Sequence, residues 1–344
     1  MFLILFTGPT ERISLPAAIE TTVTDSSLPW RPNTKPLILA PMQGLSNREL
    51  RDLFIDWVRP DVVFSEFIRV AGGKRKALRP AQLQDVAPHE GGVPLVAQLI
   101  GHQPELLAEA ARALQDAGVE HINLNLGCPF GRTTSSAIGG ELLSQLAQIP
   151  PLLAALRKVV TGSLSVKLRA GYDHPQQLFE LLSPMEASGV DFLILHPRTV
   201  IQHYRGSADH TITAKAVQCS QLPIIANGDI ITAAQGQQLL ATTKAAGLML
   251  GRGALADPLL FKRLRGQAPS SPSADELRKG LGHLLSELLP RYQKRYCGQA
   301  QVLAKLRSLL PYLHDAGCKT ILEQLKRAKT LEIFETQLKR LETF

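Results

Sequence analysis

The sequence predicts an α/β chain, a (β/α)8 barrel followed by a small C-terminal helical bundle. Three observations predict it. Short apolar runs recur eight times between Leu37 and Leu250, each followed by a stretch with helical periodicity. The runs are continuously apolar rather than alternating, as in strands of a parallel sheet buried on both faces. After Gly266 the pattern changes to Leu-rich helical stretches alone. Eight βα units fit a closed barrel better than an open doubly wound sheet. No G-x-G-x-x-G follows the first run, which further disfavours a dinucleotide-binding core.

The expected strands are Leu37–Ala40, Val62–Ser65, Leu95–Ile100, Val119–Asn125, Leu164–Leu168, Asp191–His196, Pro223–Ala226 and Gly247–Leu250. Between them lie amphipathic stretches such as Pro104–Ala117, with Leu106, Leu107, Ala110, Ala113 and Leu114 on one helical face. Gln267–Ser273 is a Pro/Ser-rich linker. Helices are then expected near 274–289, 298–313, 318–328 and 331–343, punctuated by Pro290, Gly298, Pro311 and Gly317. The chain therefore divides into a poorly ordered extension (1–34), a barrel (35–266) and a helical unit (267–344). The apolar start Met1–Phe6 is shorter than a signal h-region, lacks a preceding basic residue and is broken by Thr7-Gly8-Pro9.

Composition narrows the function classes. The 344 residues include four cysteines (128, 219, 297, 318), widely spaced and without a C-x-x-C pair. That spacing argues against a disulfide framework or a metal site and for a reducing cytoplasm. No segment approaches the roughly 20 apolar residues of a membrane span. Charge is uneven: residues 260–344 hold 16 Lys and Arg against 8 Asp and Glu, an excess equal to the +8 of the whole chain. So segregated an excess points to a polyanion, with nucleic acid first.

Polar residues stand where barrel strands end. These are Gln43, beside the thioether Met42; Gln98; Asn123, Asn125 and Cys128; Lys167 and Arg169; His196; Asn227; and Arg252. A buried Lys or Asn costs several kcal/mol without partners, so a ring of them marks a functional mouth at the C-terminal ends of the strands. Cys128 follows the turn glycine Gly127 and precedes Pro129, and its thiol reads either as buried filler or as a reactive group on a stiff loop. Asn227-Gly228-Asp229 and Gly251-Arg252-Gly253 end the last two strands, where barrels of this kind present backbone N–H groups to phosphate. Arg252 adds a permanent positive charge.

In this order the residues resemble the flavin-dependent tRNA-dihydrouridine synthases, over nearly all of 37–340. The segments are Leu39-Ala40-Pro41-Met42-Gln43-Gly44 through Arg51, Ala97–Gly101, Asn125-Leu126-Gly127-Cys128-Pro129, Ser165–Arg169, and His196-Pro197-Arg198-Thr199 with Gln202, Tyr204, Gly206, Ala208 and Asp209. The Asn-Gly-Asp and Gly-Arg-Gly turns complete the set. The resemblance implies FMN as cofactor, contacted by Pro41, Met42, Gln43, Gln98, Lys167, His196, Asn227, Gly228, Asp229, Gly251 and Arg252. NADPH is the implied electron donor, although no nicotinamide-binding motif is visible. It further implies hydride transfer from reduced flavin to C6 of a uridine and protonation of C5 by Cys128, with Asn125, Arg169, Arg198 and Tyr204 toward the substrate. An ordinary thiol is mostly protonated near neutrality and can act as this acid. The base must leave its stack, so the RNA needs a grip elsewhere. The basic C-terminal unit and the rim residues Lys74, Arg75, Lys76 and Arg79 are the candidates, and a monomer is expected.

Ser65-Glu66-Phe67-Ile68-Arg69-Val70 looks most like the bacterial C-type branch, which modifies uridine 16 of the tRNA D-loop. The chain departs from the family pattern at Phe130-Gly131 after Cys-Pro, at Ser46 and Asn47 in the first block, and at His210 where Trp is frequent. Two other readings stay open. One is a dihydroorotate dehydrogenase-like flavoprotein acting on a free pyrimidine, disfavoured by the basic C-terminal unit. The other is a catalytically silent RNA-binding barrel, disfavoured by Cys128 together with Lys167.

Overall fold

The computed structural model describes residues 28–70, 78–129 and 137–343. Residues 1–27 of the expected extension, Lys74, Arg75, Lys76 and the pair Phe130-Gly131 lie outside the described residues. Among the described residues nine parallel strands are present: β1 Leu37–Leu39, β2 Val62–Phe64, β3 Ile68–Arg69, β4 Leu95–Ile100, β5 His121–Leu126, β6 Leu164–Arg169, β7 Phe192–His196, β8 Ile224–Asn227 and β9 Gly247–Leu250. β1 pairs with both β2 and β9, β2 pairs with β4, and β4 to β9 pair in sequence, so eight strands close into a barrel. Each of the eight expected runs supplies one of them. The two-residue β3 extends the rim beside β4, in register Ile68 with Leu99.

Inside the barrel Ile38, Val62, Phe64, Val96, Phe192, Ile194, Ile225 and Met249 form one apolar cluster. A second cluster, outside β4 to β7, packs them against helices such as Pro104–Asp116. Local signals set the helix starts. Asn47 accepts from the Leu50 amide to cap Arg48–Val58, and Thr232 with Gln235 forms a capping box on Ala233–Thr243.

The C-terminal helices are Ala274–Arg295, Gln299–Leu309, Lys319–Arg327 and Leu331–Thr343. Their apolar face shares a continuous core with the barrel's first helix and last turns: Leu50, Phe54, Leu255 and Phe261 belong to the same cluster as Leu281, Leu288, Leu306 and Phe334. The linker is tied down as well. The buried Arg263 donates to Asp257 at 2.7 Å and to the Pro269 carbonyl at 2.9 Å, and Ser273 caps the following helix. The expected break at Pro290 does not occur, because the helix continues to Arg295. An interior proline costs about 3 kcal/mol, and the turn beyond it is held by tertiary contacts. Tyr292 is buried, while Arg295 pairs with Glu49 and Asp85.

Candidate active site

Strand ends and the loops after them build a cleft of about 640 Å³ at the C-terminal mouth of the barrel. Its wall includes Pro41 and Met42 after β1, Gly127 after β5, Lys167 and Arg169 on β6, His196 on β7, and Asn227, Gly228 and Asp229 at the end of β8. Gly251 and Arg252 follow β9, and Tyr204 comes from the loop after β7. The structure thus gathers most of the sequence-predicted residues around one volume.

Gln43 is exposed and stands outside the wall, while Gln98 and Asn125 turn inward. Gln98 is fully buried. It donates to Asn123 at 2.8 Å and accepts from Asn125 at 2.7 Å, and Asn123 donates to Ser165 at 2.8 Å. This belt crosses β4, β5 and β6 and satisfies each buried amide internally. Its end controls the thiol loop. The Asn125 side-chain oxygen accepts from the Gly127 and Cys128 amides, both at 2.9 Å, and Arg169 donates to the Gly127 carbonyl at 2.9 Å. The turn bearing the partly exposed Cys128 is therefore held from both faces.

The cations are similarly anchored. Arg169 also donates to the Thr199 carbonyl at 2.9 Å, and Arg198 forks onto both Asp229 oxygens at 3.1 and 2.5 Å. Arg169 and Arg198, expected toward substrate, are nearly fully buried and hold loops in place. Tyr204 is 52% exposed. The Arg169 and Arg252 guanidiniums lie over its ring, 5.2 and 4.8 Å from the centroid.

Lys167 donates to the Asn227 side chain at 3.0 Å. Burial, with the neighbouring Arg169, lowers its ammonium to about 8. Burial and the cations Lys167, Arg169 and Arg198 push His196 down to about 2, so its ring is neutral. Its Nδ1 is buried without a partner among the described residues.

Burial raises the Asp229 carboxyl, but the Arg198 fork, the Ala208 amide and Arg252 outweigh this and hold it below the usual range. Asp229 has φ +52° and Gly228 φ +121°. A Cβ on Gly228 would stand 3.2 Å from the His196 ring and 3.1 Å from Ala208. Glycine lets the turn approach that closely.

Several groups were given no role by the sequence pattern. Glu66, at the end of β2, accepts from the Gly44 amide at 2.7 Å. Its place one residue beyond a predicted strand was the available signal. Ile231 and Tyr312 also line the cleft, Tyr312 arriving with Pro311 from the C-terminal unit with no local signal to place it there. The departures at 46 and 47 also acquire roles. Ser46 accepts from the Met42 amide at 2.7 Å, and Asn47 donates to the Tyr292 and Tyr296 hydroxyls at 3.4 and 3.1 Å.

Comparison with known proteins agrees with this arrangement. The family model for dihydrouridine synthase matches residues 38–341. The tRNA-dihydrouridine(16) synthase of Cupriavidus necator is 33% identical over 250 residues, covering 70% of this chain and 76% of that protein. The enzyme of the same description from Haemophilus influenzae is 30% identical over 320 residues, covering 88% and 98%. Among solved structures, the old yellow enzyme homologue from Zymomonas mobilis superposes with a TM-score of 0.52 at 14% identity, over 70% of this chain and 90% of its own, a likeness of fold. Family model, relatives and fold agree: the chain belongs to the dihydrouridine synthase family.

Proposed function

We propose that this protein reduces the C5=C6 bond of uridine 16 in the D-loop of tRNA, with FMN as cofactor and NADPH as the source of electrons. One observation carries the reading. A single cleft is walled on one side by the turn that leads into Cys128 and on the other by the Gly228-Asp229 and Gly251-Arg252 turns. Family membership supports the activity, and relatives described as tRNA-dihydrouridine(16) synthases support the position.

The residues present fit a flavin mononucleotide. The volume is that of a cofactor pocket. The wall carries Lys167, Arg169 and Arg252 against the single carboxylate of Asp229, a balance suited to a phosphate. The neutral His196 ring also lies in this wall, its Nδ1 buried without a partner among the described residues. Pro41, Met42, Lys167, His196 and Asn227 would hold the ring system and ribityl chain; Gly228, Asp229, Gly251 and Arg252 would hold the phosphate.

When bound, the flavin supplies the hydride that uridine C6 receives. The protein's own groups do the rest. The Cys128 thiol gives its proton to C5, so that one hydride and one proton saturate the bond. Asn125 and Arg169 keep that thiol's turn in place through Gly127, which maintains the alignment proton transfer needs. Lys167 places positive charge where negative charge develops on reduction. Tyr204, half exposed with two guanidiniums over its ring, meets the extruded base. The helices of residues 267–344 grip the RNA.

The test is Cys128→Ala. It should retain FMN with unchanged absorbance and form no dihydrouridine on tRNA transcripts with NADPH. Wild-type activity in the variant would remove Cys128 from the chemistry, and loss of flavin would reassign it to structure.

A further inference from the structure

His210 opens the helix His210–Cys219, outside the cleft wall but directly behind it. Its Nε2 lies 2.9 Å from the Gly228 carbonyl oxygen, and its Nδ1 lies 3.2 Å from the hydroxyl of the fully buried Thr213. Burial lowers the ring's affinity for a proton, partly offset by the Gly228 carbonyl, so it is neutral near pH 7. The carbonyl can only accept, which puts the ring hydrogen on Nε2 and leaves Nδ1 to accept from Thr213.

The bond controls a peptide plane. Gly228 and Asp229 both have positive φ, a conformation uncommon outside glycine, and the Asp229 carboxylate is held by Arg198, Arg252 and the Ala208 amide. In a trans peptide the C=O and the following N–H point in opposite directions. Holding the Gly228 oxygen toward His210 therefore turns the Asp229 N–H away from the His210 ring, and both residues line the cleft.

We propose that His210 is a positioning residue of the anion subsite: by fixing the Gly228 carbonyl it aims the Asp229 amide at the phosphate of the bound flavin. The proposal rests on the FMN reading above and adds a residue that does not touch the cofactor.

Flavin fluorescence quenching on the apoprotein tests it, with FMN and with riboflavin, which has the same ring system and no phosphate. His210→Leu should weaken FMN about tenfold or more, the worth of one hydrogen bond to a charged group, and leave riboflavin within roughly twofold. His210→Gln, whose amide can still donate to Gly228, should restore most of the FMN affinity. Unchanged FMN affinity in His210→Leu overturns the proposal. So does an equal loss for FMN and riboflavin, which would mean that the whole cleft had rearranged. A wild-type protein that binds the two flavins equally would instead remove the phosphate subsite itself, and the proposal with it.

Discussion

Lys167 illustrates how one side chain reports on its surroundings. Its ammonium is lowered to about 8 by burial and by Arg169, while an unfolded lysine keeps its charge to about 10.4. Below pH 8 both states are charged, and the folded state bears the desolvation. Between the two pKa values the folded protein binds fewer protons, so this group favours folding more as pH rises. The unfolding midpoint of the flavin-free protein should thus gain from Lys167 between pH about 8 and about 10, and Lys167→Met should lose that gain. Activity should move the opposite way. It should fall above pH 8 as the charge proposed to lie beside the flavin is lost, a fall that Lys167→Met should lessen in its residual activity. Parallel pH profiles for the two proteins would contradict this account.

Among the elements, the helix Arg48–Val58 connects barrel and bundle. Its cap Asn47 serves two purposes, accepting from Leu50 and donating to the phenols of Tyr292 and Tyr296. Glu49 and Asp56 on the same helix pair with Arg295 and Arg291. The exposed ion pairs contribute little, whereas the cap and the buried phenol contribute more. Asn47→Ala should destabilise the protein by about 2 kcal/mol, combining cap loss with an unsatisfied hydroxyl. Asn47→Asp keeps the cap and accepts from the phenols, so it should keep most of the stability. Denaturant midpoints decide, and an Ala variant as stable as wild type would show the seam to be carried by apolar packing alone. The neighbouring block was legible as a motif, yet nothing within it identifies partners some 245 residues away.

At the scale of the molecule, charge and chemistry are separated. The whole formal excess resides in residues 260–344, and there Lys319 and Arg327 stand exposed on one helix and Lys329 in the bend that follows it. Binding of tRNA should weaken steeply with salt. Arg327→Gln with Lys329→Gln should lower the slope of log K against log salt by roughly one to two and leave FMN affinity unchanged. A slope equal to wild type would place the RNA on another face. The continuous core beneath the bundle fixes that charged surface relative to the cleft.

The sequence by itself determined the barrel, its eight principal strands, the order of the polar strand ends and the family. Parallel strands buried on both faces leave uninterrupted apolar runs, and the chemistry attaches at their ends, so local pattern suffices. Only the tertiary structure decided which of those polar groups wall the cleft. Gln98 and Asn125 face one another across β4 and β5, Arg198 and Arg169 hold loops, and His210 stands behind the Gly228 turn. Each of these roles depends on a hydrogen-bond partner brought near by the folding of other elements, and one-dimensional spacing does not encode which partner that is.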